Sequence, residues 1–196
     1  MPFNGKSGKF NASINTVEFG CGDKAVKIGG ENVFPLYSFD AAIENAPKVG
    51  IEITDFGMEH EPECIKKYYE GCATLADMAR KAASMEGVDF LSFRMEGGDP
   101  NGANKSTEEL IGELKEIADA VDLPLVVCGC KNVEKDAELF SKAAEALNGK
   151  NAVILSAKEE NYKTVGAAAG LAYKQVVLTA TLDGASAYRN ADFVVI

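Results

Sequence analysis

The chain has 196 residues, 46% hydrophobic and 26% charged, a composition that supports one sizeable buried core and excludes general disorder. A formal net charge of -10 repels phosphate backbones and anionic lipid surfaces, which argues against nucleic acid as a partner. No run of ~18 apolar residues is present, and Met1 to Lys9 carries basic residues with no apolar stretch behind them, so neither a membrane span nor a secretory signal is read and the expected location is cytoplasmic.

In chain order, Thr16-Val17-Glu18-Phe19-Gly20 and Ala25 to Gly30, separated by Cys21-Gly22-Asp23-Lys24, read as a β-hairpin. It belongs to an N-terminal extension over residues 1–45, placed as a lid on the N-terminal mouth of a sheet or as an edge for a partner. From residue 46 to 196 the pattern changes to short apolar runs rich in β-branched residues. These are Val49–Thr54, Val88–Arg94, Leu123–Cys128, Ala152–Ser156, Val176–Ala180 and Phe193–Ile196, six expected buried strands.

Helices are expected between them. Leu75 to Ser84 follows Thr74, with Asp77 three residues on. Thr107 to Val121 places Leu110, Ile111, Leu114, Ile117 and Ala118 on one stripe behind a Ser106/Glu109 capping box. Glu134 to Leu147 ends at Asn148-Gly149, and Asn161 stands where a cap is wanted before Tyr162 to Lys174. Strands recurring every ~25 to 40 residues with one helix per gap imply parallel pairing through right-handed crossovers. Two α/β architectures fit, an open doubly wound sheet and a (β/α) barrel. No glycine-rich phosphate cradle follows the first strands, which counts against the nucleotide-binding open sheet.

In such folds the working residues gather where strands end. That selects Thr54-Asp55, Arg94 to Asn104, Gly129 to Asn132, Ser156 to Lys163 and Thr181 to Asp183, a polar set poor in acid/base chemistry. His60, the one histidine, lies in a loop between Glu59 and Glu61 without a second imidazole or a nucleophile. Glu159 and Glu160 are adjacent, unlike the separated carboxylates of a glycosidase. Cys128-Gly129-Cys130 would point its thiols to opposite faces of a continuing strand, so a small buried residue at a strand end is the plainer reading than a metal ligand. Asp99-Pro100-Asn101-Gly102 has tight-turn composition, and Arg94, ending an apolar strand, needs an anion or a loop carboxylate.

Three longer stretches are more specific. Gly97 to Ser106, Pro124 to Asp136 and Ser156 to Thr164, together with Val26 to Gly30, Phe34 to Phe39 and Val49 to Ile53, resemble the small subunit of the corrinoid/iron-sulfur protein, whose archaeal counterpart is the delta subunit of the acetyl-CoA decarbonylase/synthase complex. The likeness runs in order over roughly residues 14 to 182. It implies a (β/α) TIM-type barrel, here incomplete with about six of eight units, since the family's chain continues beyond this one and Asp183 to Asn190 matches it poorly.

By that resemblance the chain binds no cofactor alone. It pairs with a large subunit that carries a corrinoid (cobalamin) and a [4Fe-4S] cluster. The complex moves a methyl group on cobalt from methyl-tetrahydropterin, working with a methyl-tetrahydropterin methyltransferase and acetyl-CoA synthase. The loops expected to face the corrinoid carry Arg94, Asp99, Asn101, Asn104, Gly129, Asn132, Asn161, Tyr162 and Lys163, with no catalytic residue and no metal ligand among them. The rival expectation is a free-standing pterin-binding methyltransferase on the same kind of barrel, holding the pterin ring through Asp99, Asn101, Asn132 and Asn161.

Overall fold

The computed structural model describes residues 13–30 and 44–179. The expected strand Phe193–Ile196, the turn Thr181 to Asp183, the N-terminal Met1 to Lys9 and the segment Phe34 to Phe39 lie outside the described residues.

The hairpin forms as expected. Strands β1 (Val17–Phe19) and β2 (Val26–Ile28) pair antiparallel, with Val17 opposite Ile28, and a single 3₁₀ turn over Gly22–Lys24 joins them. Gly20, at φ +82, leaves β1 through a conformation that L side chains rarely adopt, and a Cβ there would run into the Pro124 ring. Its N–H donates to the Asn151 carbonyl at 2.7 Å, and the Asn151 side chain donates back to the Glu18 and Gly20 carbonyls. Pro124 and Asn151 both stand just ahead of sheet strands, so the hairpin is seated where those strands begin.

The larger sheet has five strands in sequence order: β3 (Gly50–Thr54), β4 (Phe90–Arg94), β5 (Leu125–Cys128), β6 (Val153–Ala157) and β7 (Val176–Thr179). All neighbouring pairs are parallel, with Ile53 opposite Phe93, Phe93 opposite Val127 and Val127 opposite Ile154. Residues alternate between faces. Ile53, Leu91, Phe93, Leu125, Val127 and Ile154 turn to the helices, and Val126, Cys128, Val153 and Leu178 turn to the hairpin, where Phe19 and Val26 meet them. Strand β5 is buried along its whole length, which explains why it reads as a continuous apolar run.

The helix layer holds α1 (Glu63–Tyr68), α2 (Leu75–Ala83), α3 (Thr107–Ala120), α4 (Val133–Ala146) and α5 (Tyr162–Val165). A capping box starts α2, in which the Thr74 side chain accepts the Asp77 N–H and Asp77 accepts the Thr74 N–H. At the start of α3, the Ser106 hydroxyl accepts the Glu109 N–H. The buried Leu110, Leu114 and Ile117 of α3 and Leu139, Phe140 and Ala143 of α4 belong to one core cluster with the sheet, each large side chain worth about 1.5–3 kcal/mol when fully buried.

Two segments differ from expectation. Helix α1 is not anticipated from sequence, because six residues are too few to display a helical period. The helix expected over Tyr162 to Lys174 is α-helical only to Val165 and continues as a π-helix over Gly166–Ala172. Gly166 and Gly170 are the weak helix formers in this alanine-rich run. The chain beyond is pulled in by the buried Gln175, which donates to the Leu147 and Tyr173 carbonyls and accepts the Ala152 N–H. Among the described residues no helix is long and apolar enough to cross a membrane.

Candidate functional site

Because β3 to β6 run in parallel, the loops after them emerge side by side at one end of the sheet. Arg94, the last residue of β4, points to the hairpin-side face. Its guanidinium donates through Nε and Nη2 to both oxygens of Glu52, each at 2.8 Å. The carboxylate that satisfies it therefore sits on the adjacent strand β3 and not in a loop. This bidentate pair holds the guanidinium even more firmly protonated than usual. Ser92 continues the polar line, with its Oγ 3.4 Å from Glu52 Oε2 and 3.4 Å from the Cys128 thiol.

The β4–α3 loop carries three of the expected site residues. Asp99 Oδ1 accepts the Asn101 N–H at 3.0 Å and its side-chain amide at 3.3 Å, the self-contained turn that the composition foretold. Asn104, exposed and at φ 51, closes it with an N–H to the Asp99 carbonyl. What places this loop is Asp55, beyond the end of β3, whose fully buried carboxylate accepts the Gly97 N–H at 2.9 and 3.1 Å. Lys105 reaches Asp55 Oδ2 at 3.1 Å and Glu113 Oε1 at 3.2 Å. Burial works against the Lys105 charge, but the bonds to these carboxylates outweigh it and raise its pKa. Burial also pushes the Glu113 carboxyl up, and its Oε2 is buried without a hydrogen-bond partner among the described residues.

The β5–α4 loop is built around Asp136, in the first turn of α4. Its buried carboxylate accepts the Cys130 N–H at 2.7 Å and lies where a Cβ on Gly129 would have to go, so Gly129 serves this packing. Burial raises the Asp136 carboxyl, opposed by hydrogen bonds from Cys130 and by the charge of Lys158. Burial likewise pushes the Cys130 thiol up to about 11 and raises that of Cys128, which makes both poor nucleophiles. Asn132 caps α4, its Oδ1 accepting the Lys135 N–H at 3.0 Å.

The β6–α5 loop is joined to its neighbour. Asn161, expected as a helix cap and ligand contact, makes no side-chain cap bond to α5 and is only 4% exposed. Its Oδ1 accepts the Lys158 N–H at 2.7 Å, while its Nδ2 donates to the Val133 carbonyl at 3.1 Å. Tyr162 and Lys163 are exposed just beyond, the Lys163 ammonium 5.8 Å from the Tyr162 ring centre.

The rim thus brings Arg94, Gly129, Asn132 and Asn161 onto three adjacent strand ends. Asn101, Asn104, Tyr162 and Lys163 are its outward groups. Asn132 and Asn161 are occupied with backbone partners. Sequence reasoning included Lys158 only as part of the loop Ser156 to Lys163 and did not single out Glu52 or Asp136. The available signals were weak: an acidic residue inside an apolar strand for Glu52, and an aspartate in the first turn after a Gly-Cys pair for Asp136. His60 is exposed and packs edge-on against Phe56, 4.9 Å between centroids. Among the described residues no group of three or more His, Cys, Asp or Glu is arranged to hold a metal ion.

A model of the CO dehydrogenase/acetyl-CoA synthase delta subunit family matches residues 16–191. Similar proteins include the acetyl-CoA decarbonylase/synthase complex subunit delta of Methanothermobacter thermautotrophicus, 31% identical over 85% of this chain and 43% of the relative. Its namesake in Methanocaldococcus jannaschii is 30% identical over 80% of this chain and 40% of the relative. Subunit delta 1 of Methanosarcina thermophila is 29% identical over 81% of this chain and 36% of the relative. The chain spans less than half the length of these curated relatives.

Proposed function

Starting from the fact that this chain belongs to the CO dehydrogenase/acetyl-CoA synthase delta subunit family, we propose that it is a binding subunit of an acetyl-CoA decarbonylase/synthase-type complex. Its strand-end rim rests against a corrinoid held by a large partner subunit. In this reading the complex is cytoplasmic and carries a methyl group from a methyl-tetrahydropterin toward acetyl-CoA synthase, and the chain contributes orientation and exclusion of water rather than proton transfer. The parallel sheet is part of a (β/α) TIM-type barrel preceded by the extension over residues 1–45. The hairpin seated where the strands begin supports this, because it leaves the strand ends as the open face.

The observation that carries the reading is the use of the rim's buried carboxylates. Asp55 and Asp136 are both engaged in holding backbone N–H groups, so the rim presents a fixed hydrogen-bonding surface instead of a poised acid and base. The exposed amides of Asn101 and Asn104, the Tyr162 hydroxyl and the Lys163 ammonium fit the amide-bearing edge of a corrinoid, and these residues would hold it. The corrinoid supplies, when bound by its partner, a cobalt centre that carries the methyl group. Cys128 and Cys130 are buried with raised thiol pKa values and do not fit a [4Fe-4S] cluster, which we assign to the partner.

The immobilised chain should capture the corrinoid-bearing subunit, recognised by its cobalamin-like absorbance. Combining Tyr162→Ala with Lys163→Glu should weaken capture about tenfold without changing the Tm. Undiminished capture by that variant would remove the rim as the docking face. Tight binding of methyl-tetrahydropterin by the isolated chain would favour the methyltransferase reading. That reading is weakened by Asn132 and Asn161, whose side chains it needs and which are already hydrogen-bonded to backbone.

A further inference from the structure

We propose that Asn161, together with Lys158, is a positioning clamp that makes the β5–α4 and β6–α5 loops one rigid body. The clamp refines the reading of the rim as a docking face and rests on it for its consequence in binding. Its geometry is unusual for a residue at a helix start, where an asparagine oxygen ordinarily accepts an N–H from its own helix. Here the Asn161 side chain faces away from α5 and bridges two loops. Oδ1 takes the Lys158 N–H at 2.7 Å in its own loop, and Nδ2 reaches the Val133 carbonyl at 3.1 Å in the other.

Lys158 makes the second crossing, its ammonium donating to the Lys131 carbonyl at 2.8 Å. Lys131 is a non-glycine residue at φ 71, a conformation that persists only where its surroundings impose it. On its far side the Cys130 N–H is held by Asp136 at 2.7 Å. A change at Asn161 therefore has a physical route to Lys131 and Cys130, which it does not touch. Both links are directional hydrogen bonds, and the Asn161 end is only 4% exposed, where an unmade bond is costly. Fixing the two loops together holds the exposed Lys131, Tyr162 and Lys163 at a set spacing before any partner arrives, which lowers the ordering cost of binding.

Amide hydrogen exchange on the whole isolated chain tests the clamp without a partner. In Asn161→Ala, exchange at Cys130 and Lys131 should quicken by at least about fivefold together with Lys158, while Leu114 in α3 keeps its protection. Asn161→Asp at neutral pH retains an acceptor for Lys158 and loses the donor to Val133. It should therefore quicken Cys130 and leave Lys158 slow. Lys158→Met, which removes the second crossing from a partly exposed position, should quicken Lys131 and serves if the Asn161 variants do not fold. Acceleration confined to Lys158 in Asn161→Ala, an equal acceleration at Leu114, or no change at Lys131 in Lys158→Met would overturn the clamp. If the loops uncouple as expected but capture of the corrinoid-bearing subunit is undiminished, the clamp stands and the docking face falls.

Discussion

The two ends of the parallel sheet are held by opposite means. Where the strands begin, the hairpin closes the sheet with apolar side chains, Phe19 and Val26 against Val126 and Val153, and with the Phe19 ring edge-on to Phe90 at 5.7 Å. Where they finish, the loops are placed by buried polar groups, Asp55 on Gly97, Asp136 on Cys130 and Asn161 on Val133. Apolar contact is strong and non-directional, suited to closing a surface. A buried hydrogen bond adds less net stability but specifies an atom-to-atom direction, suited to a surface that must present groups in fixed places.

The largest effect should come from the hairpin end. Phe19→Ala is expected to cost about 3–5 kcal/mol by urea denaturation, leaving amide protection in the loops after β4 and β5 unchanged up to the global transition. A cost below about 1 kcal/mol would show that the hairpin does not close the sheet. At the other end Asp136→Ala should cost about 1–3 kcal/mol, because the Cys130 N–H loses its buried acceptor, and Asp136→Asn, which keeps an oxygen there, should recover most of it. Equal losses in both variants would mean that the carboxylate's charge and not its acceptor role holds the loop.

Smaller still is Arg94→Met. The pair with Glu52 is partly exposed, at 28% and 41% of the two side chains, and its loss should cost about 1 kcal/mol or less in chemical denaturation. A loss comparable to that of Asp136→Ala would place Arg94 among the anchors.

The least effect is a pH slope. Burial raises the Glu113 carboxyl, so over the window from its unfolded value, near ~4.3, up through the higher folded value, the folded chain holds a proton that the unfolded chain releases. Stability from this group is full below that window and falls as pH rises across it. Asp136 contributes with the same sign, from an unfolded value near ~3.9. Stability measured against pH should therefore descend less steeply in Glu113→Gln than in the unaltered chain. An unchanged slope would show that Lys105 fully compensates the buried charge.

Much of the fold was readable from the residues themselves. The described strands and α2 to α4 fall within a few residues of their expected limits, because periodicity and the caps at Thr74 and Ser106 are local signals. The hairpin was equally plain. Helix α1 and the π-helix were not, the first for want of length and the second because a π register leaves no periodic pattern distinct from an α-helix over seven residues. Of the candidate site, the polar loops could be named in advance but their inner workings could not. Arg94 announced a need for a carboxylate and gave no hint that Glu52 would meet it from the neighbouring strand.

The amino-acid order alone determined which segments are strands, that they run parallel, and which loops therefore share one end, because strand spacing and side-chain alternation are properties of the chain taken a few residues at a time. Only the tertiary structure decided which polar residues face outward and which are buried as anchors. Asp55 meets Gly97 across 42 residues and Asn161 meets Val133 across 28, and contacts of that separation exist only after the strands have been laid side by side.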